Sequence, residues 1–186
     1  MPATHAVVSP GWRAVDLISD LHLHSGDPAT FALWRDYMLA PAPEAEAVFI
    51  LGDLFEVWVG DDNQDPFALK CIAALKATAQ RMPVYFMCGN RDFLVGRDYL
   101  GPLGVVTLTD PTLLEWGAQR LLLTHGDALC LGDTAYQVFR QQVRSNVWQR
   151  DFLSKPLPER LALARAMRQQ SQIHAQKPIG KLLMWP

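Results

Sequence analysis

Short apolar runs punctuate the first two thirds of the chain, at 14–19, 47–51, 84–88 and 121–124, each of strand length and rich in Val, Ile, Leu and Phe. Runs of this kind suit strands covered on both faces, so these four are predicted as central strands. Two helical patterns lie between them. Asp27-Pro28 opens one that carries Phe31, Trp34 and Met38, and Asp65-Pro66 opens another that carries Phe67, Cys71 and Leu75. In each, an acid can cap the helix start and Pro suits the first helical position. Strands alternating with helices predict an α/β layered sheet, at least partly parallel. Residues 105–108 and 113–116, joined through Asp110 and Pro111, are predicted to form an added hairpin leading into the fourth strand. From Tyr136 to about Ser171 the pattern turns helical, broken at Pro156 and Pro158, with Phe139, Val143, Val147, Leu157, Leu161 and Ala164 at core-facing spacings. This stretch, about 134–171, is read as a helical lid on a single domain spanning 1–186.

Composition narrows the class. At 186 residues, with 49% hydrophobic and 19% charged residues, the chain can bury one continuous core and is not a disordered tail. No run approaches the ~18 apolar residues of a membrane span, and no basic-then-apolar leader opens the chain, which predicts a cytoplasmic protein. Cys71, Cys88 and Cys130 are odd in number and lack metal-type spacing, so they are predicted to be buried thiols without chemistry. The net charge of −2 is unevenly spread: from Arg140 onward nine Lys or Arg face two acids, a balance of +7 that leaves −9 for the rest. Such a division suits an anionic ligand or membrane headgroups meeting a cation-binding centre, and equally suits solvated helix faces. Nucleic acid is disfavoured as a partner, because the basic residues lie on the lid beside a carboxylate-rich site.

Each predicted strand runs straight into a polar cluster: Asp20-Leu-His22, Gly52-Asp53, Gly89-Asn90-Arg91-Asp92 and His125-Gly126-Asp127. In open α/β sheets ligands bind beyond the carboxyl ends of the strands, so four clusters delivered to one edge predict a shared site. Carboxylates, imidazoles and an amide oxygen suit Mn²⁺, Fe or Zn in a dinuclear centre for phosphate chemistry. Asp53 is the expected bridge. Taken singly, an Asp or Asn at a strand end is more often a cap and a His more often a satisfied polar group; the set together carries the prediction. His24 is expected to face solvent or support the site from behind. Asp61 and Asp62 are read as a turn capping the following helix, and Asp92 and Asp127 as supports that could orient an imidazole.

The motifs D-L-H-L-H, G-D-L-F-E-V-W-V-G-D-D, G-N-R-D-F and T-H-G-D, in that order, resemble the calcineurin-like metallophosphoesterase superfamily. Arg91 and the run L-C-L-G-D-T-A-Y-Q-V-F-R at 129–140 look like its UDP-2,3-diacylglucosamine pyrophosphatase branch, from lipid A biosynthesis. The resemblance implies a layered metallophosphoesterase sandwich with a helical lid. It implies two Mn²⁺ ions, one on Asp20 and His22, one on Asn90 and His125, with Asp53 between them. It further implies substrate contacts from Asn90, Arg91, Asp133 and Ser171, with Lys177 a further candidate. The implied reaction is hydrolysis of UDP-2,3-diacylglucosamine to UMP and 2,3-diacylglucosamine 1-phosphate. Asp53, Asn90, Arg91 and His125 would carry it, at the cytoplasmic face of the inner membrane as a peripheral protein.

In one respect the chain departs from that pattern. The family ends in an apolar strand and a Gly-His-x-His cluster, whereas after His125 this sequence has His174 as its sole histidine and finishes I-G-K-L-L-M-W-P. The expectation is a C-terminally incomplete fold with weakened metal binding and impaired activity. Two rival expectations accompany it: another calcineurin-like phosphoesterase, or a non-catalytic fragment.

Overall fold

The computed structural model describes residues 5–9, 11–40 and 44–175. Strands β1 (His5–Val8), β2 (Asp16–Ile18), β3 (Val48–Leu51), β4 (Val84–Met87), β5 (Val105–Leu108), β6 (Thr112–Trp116) and β7 (Gln119–Leu123) form two sheets. Helices α1 (Pro28–Leu39) and α2 (Pro66–Ala79) follow β2 and β3, the short α3 (Arg97–Leu100) follows β4, and α4 (Thr134–Val143), α5 (Asn146–Ser154) and α6 (Leu157–Ala175) close the described chain.

The larger sheet is wholly parallel, in the order β2-β3-β4-β5, and the smaller runs β1-β6-β7. Side-chain alternation along β3 and β4 divides the interior into two layers. Val48, Ile50, Val84 and Phe86 face α1 and α2 and pack with Trp34, Met38, Cys71 and Leu75. Phe49 and Met87 point the other way, against Leu114 and Leu123 of the smaller sheet. Neighbours across β3 and β4 reinforce this second layer, as Phe49 stacks on Tyr85 with ring centroids 4.5 Å apart. A strand buried on both faces must be apolar at odd and even positions alike, which is why these runs lack a polar alternation.

The predicted starts of α1 and α2 hold: Asp27 accepts the Thr30 N–H at 3.0 Å and Asp65 the Ala68 N–H at 2.9 Å, each ahead of Pro at the first helical turn.

The strand assignment needs correcting in three places. The 14–19 run is an edge strand, with Leu17 half exposed. Residues 105–108 do not pair with 113–116; they are the other edge of the parallel sheet, and the segment through Thr109–Pro111 crosses from one sheet to the other. The 121–124 run belongs to the smaller sheet, antiparallel to β6. There Gly117, at φ +58°, makes a two-residue hairpin turn between Trp116 and Gln119.

The helical stretch from Tyr136 is three helices. Val143 is buried, and Leu157, Leu161 and Ala164 pack against the helix-side core as their spacing predicts, but Phe139 and Val147 face outward. The deeper anchors are Trp148 and Phe152 of α5, stacked with centroids 4.8 Å apart, Trp148 also leaning on Phe93 in the loop after β4. Cys130 is exposed, against expectation, because it lies in the turn between β7 and α4 and not in a buried strand.

Candidate metal centre

β2 and β3 end side by side, and the loops beyond them stay zipped backbone to backbone. The Asp20 N–H donates to Gly52 O at 3.1 Å, His22 N–H to Asp53 O at 2.9 Å and Leu23 N–H to Leu54 O at 2.8 Å, while Glu56 N–H returns to Leu23 O at 3.1 Å. Among the described residues the non-glycine positions with positive φ are Asp20 (56°), His22 (48°) and Asp53 (54°). Left-handed backbone at such residues costs on the order of 1 kcal/mol or more each and survives only where the surroundings enforce it. Here the three strained residues are the ones whose side chains meet, with a ligand atom from each lying within 4.8 Å of the others.

Glycine makes this close approach possible. A Cβ on Gly89 would fall on the Asp53 carboxylate, and one on Gly52 would lie 2.5 Å from His125 Nδ1 and 2.7 Å from the Gly89 backbone. Behind the loops, fully buried Asp92 gathers backbone N–H groups from Gly89 (2.7 Å), Leu54 (2.8 Å) and Asp53 (3.3 Å), tying the β3 and β4 loops together. Burial pushes its carboxyl up to about 6, against the pull of those donors.

Although β7 lies in the other sheet, it delivers His125 to the same place. His125 Nδ1 lies 2.9 Å from Leu51 O, a carbonyl that can only accept, so Nδ1 carries the proton. In the neutral ring, Nε2 then presents a lone pair toward Asn90 Oδ1 at 3.0 Å. Asp53 turns one oxygen toward each imidazole: Oδ2 lies 3.8 Å from His22 Nε2, and Oδ1 lies 3.7 Å from His125 Nε2. Oδ1 also accepts the Arg91 N–H at 2.8 Å. Burial raises the Asp53 pKa, with the Arg91 N–H and the two imidazoles opposing the rise. Acceptors facing acceptors, around a buried carboxylate that spans two imidazoles, form a donor set that divalent cations fit.

All five predicted ligands therefore converge, from both sheets. Arg91 joins them through its backbone, while its buried Nε has no hydrogen-bond partner among the described residues. Asp133 is exposed and caps α4 by accepting the Tyr136 N–H at 2.9 Å. Ser171 falls in α6, and Lys177 lies outside the described residues. His24 is exposed and accepts the Gly26 N–H, away from the cluster.

The acids read as turns or imidazole supports behave otherwise. Asp61 accepts from Trp58 Nε1 at 2.9 Å and from the Gly96 N–H at 3.2 Å, and Asp62 pairs with Arg160 of α6 through both oxygens. Neither caps α2. Asp92 serves backbone N–H groups, and Asp127 takes Tyr136 OH (2.9 Å), Arg140 Nε (2.9 Å) and Arg144 Nη2 (3.2 Å), so neither orients an imidazole. Burial works against the Asp127 carboxylate, yet these α4 and neighbouring donors hold it below the ordinary value. The residue that faces an imidazole from behind is Glu56, which the sequence reading passed over. Its signal was present only as an acid three residues past Asp53.

The family model for calcineurin-like phosphoesterases matches residues 14–178. A UDP-2,3-diacylglucosamine hydrolase of Chromobacterium violaceum is 48% identical over 88% of this chain and 69% of its own length. The enzyme of that name from Xanthomonas axonopodis is 47% identical over 88% of this chain and 67% of its own. The chain thus spans about two thirds of the length of these relatives. A solved protein of unknown function from Aquifex aeolicus aligns over 75% of this chain and 72% of its own with a TM-score of 0.42 and 16% identity, a likeness too loose to build on. On the family match and the two bacterial relatives, the chain belongs to the calcineurin-like phosphoesterase family, in the branch those hydrolases represent.

Proposed function

We propose that the protein hydrolyses the pyrophosphate bond of UDP-2,3-diacylglucosamine, giving UMP and 2,3-diacylglucosamine 1-phosphate, with two Mn²⁺ ions as cofactor. The observation that carries the chemistry is Asp53, whose two oxygens face two different imidazoles across gaps too long for hydrogen bonds. Asp20 and His22 would hold one ion, Asn90 and His125 the other, with Asp53 shared. When bound, such a pair would supply Lewis acidity, drawing charge from a phosphoryl group and making water a better nucleophile. The substrate rests on the names of the two bacterial relatives.

The chain's own groups fit an anhydride. Arg91 stays charged and can grip phosphate oxygens in a two-pronged contact, but it is no proton donor at neutral pH. A departing sugar phosphate needs no proton, unlike an alkoxide. The Leu51 carbonyl keeps the His125 proton on Nδ1, leaving Nε2 free as a ligand. Asp133, Ser171 and Lys177 are the further substrate contacts of this reading. Helices α4–α6 act as the lid, where exposed Val138 and Val147, with Leu131 in the turn before α4, would meet acyl chains and the cytoplasmic face of the inner membrane among basic residues.

The 186-residue chain, supplied with UDP-2,3-diacylglucosamine, UDP-glucose or p-nitrophenyl phosphate, tests this with Mn²⁺ and with chelator. UMP released from the acylated substrate alone, and only with Mn²⁺, is the expected result. Equal turnover of p-nitrophenyl phosphate would point to a general phosphoesterase instead, and the absence of any metal-dependent product to a non-catalytic fragment.

A further inference from the structure

His22 Nδ1 is buried and has no hydrogen-bond partner within bonding distance among the described residues. The nearest charged group is the carboxylate of Glu56, itself buried, whose Oε2 lies 3.4 Å away. The other oxygen of Glu56 is held from the far side, where Arg168 Nη1 of α6 sits 3.0 Å from Oε1. The backbone of Glu56 is tied beside His22, its N–H bonded to the Leu23 carbonyl. Arg168 is tethered too. Two turns earlier on α6, buried Arg160 donates to Val59 O at 2.6 Å and to both oxygens of Asp62. Gly60 is kept free of a side chain there, since a Cβ would fall on Arg160 Nη1. A continuous line of contacts thus runs from α6 through Arg168 and Glu56 to the back of His22, whose front nitrogen faces Asp53.

We propose that Glu56 is a positioning residue: it keeps the His22 proton on Nδ1 so that Nε2 offers its lone pair to the front, and Arg168 holds Glu56 in that orientation. The seating of α6 is thereby coupled to a ligand atom of the candidate centre. A neutral imidazole carries one N–H, and the acceptor facing one nitrogen sets which nitrogen is left as ligand. At 3.4 Å the contact lies just outside the ordinary hydrogen-bond range, so Glu56 is the carboxylate acceptor facing Nδ1 without being bonded to it in this conformation. The consequence for cations rests on the metal reading given above; the tautomer itself does not.

Imidazole tautomers are read directly from long-range ¹⁵N–¹H correlation spectra of the cation-free 186-residue chain. The His22 ring is expected to carry its proton on Nδ1 in the natural sequence and to shift toward the Nε2–H form in Glu56→Ala. Glu56→Gln offers one acceptor oxygen to two donors; Arg168, which can only donate, takes it, so the amide N–H₂ faces Nδ1 and the ring should shift toward the Nε2–H form as in Glu56→Ala. Arg168→Ala, a half-exposed change that leaves the core intact, should shift the ring partway, whereas Arg165→Ala on the same helix should not. In parallel, Mn²⁺ affinity should fall ~10–100-fold in Glu56→Ala, the usual range for outer-shell partners, and a few-fold in Arg168→Ala. Arg168→Ala in the Glu56→Gln background frees that oxygen to turn to Nδ1 and should bring the natural tautomer back, the rescue that marks the two side chains as one unit. An unchanged His22 tautomer in both Glu56→Ala and Arg168→Ala overturns the proposal. If the natural chain binds no Mn²⁺ at all, the metal reading fails, and the tautomer still decides the role of Glu56.

Discussion

The loops beyond β2, β3 and β4 and the helices α4–α6 meet over the same site but are held by different forces. In the loops, position comes from the backbone: three left-handed non-glycine residues, two glycines in contact with functional atoms, and a buried Asp92 that gathers N–H groups. The helices are attached through side chains. Arg160 meets Asp62, Arg168 meets Glu56, and Arg140 and Arg144 meet Asp127, beside the stacked pair Trp148 and Phe152. The first mode leaves no room for a side chain at Gly52 or Gly89. The second consists of separate side-chain contacts, each of which can be removed by itself.

The contrast can be broken hardest at Asp53. Replacing it with Asn keeps the shape but removes the charge between the two imidazoles, and metal-dependent turnover should fall by more than the ~100-fold that outer-shell changes cost. Steady-state kinetics at saturating Mn²⁺ would read it. Gly89→Ala is the next largest effect, since its methyl lands on Asp53; about 3 kcal/mol of stability should be lost, seen as a lower urea midpoint.

On the helical side the effects should be smaller and unequal. Arg160→Ala strands the buried Val59 carbonyl and removes packing, for a loss of about 2 kcal/mol by the same titration. Asp62→Asn, at the solvated end of that pair, should cost less than ~1 kcal/mol. A pH series sharpens this last case. Its hydrogen bond to Arg160 holds the Asp62 carboxyl below its ordinary 3.8. A lowered carboxylate contributes stability above that ordinary value and loses it as pH falls through the depressed one. The natural chain and Asp62→Asn should therefore differ in stability at neutral pH and converge below pH 3.8.

The same two regions differ in how far the sequence revealed them. The convergence of Asp20, His22, Asp53, Asn90 and His125 could be read because each stands at the end of an apolar run, where the sheet's own geometry gathers strand ends. His125 meets Asn90 and Asp53 even though its strand belongs to the smaller sheet and not, as expected, to the central one. Gly117, two residues before β7, carried the hairpin signal that would have corrected the assignment. The attachment of the helices could not be read in this way. Arg160 and Asp62 are far apart along the chain, and nothing local to either shows that the other will neutralise it. Trp148 and Phe152 were overlooked in favour of Phe139 and Val147, because helical spacing indicates a shared face and not which face meets the core.

Alone, the sequence determined the caps of α1 and α2, the apolar runs of β3 and β4, which five polar residues converge and the family to which the chain belongs. These are set within a few residues of chain, by hydrogen bonds and side-chain period that any tertiary setting would preserve. Tertiary structure decided the division into two sheets, the left-handed turns at Asp20, His22 and Asp53, and the partners of Asp62, Asp127 and Glu56. Those outcomes depend on which surfaces are pressed together when the core closes, and backbone strain or a buried charge is tolerable only once that closure supplies its partners.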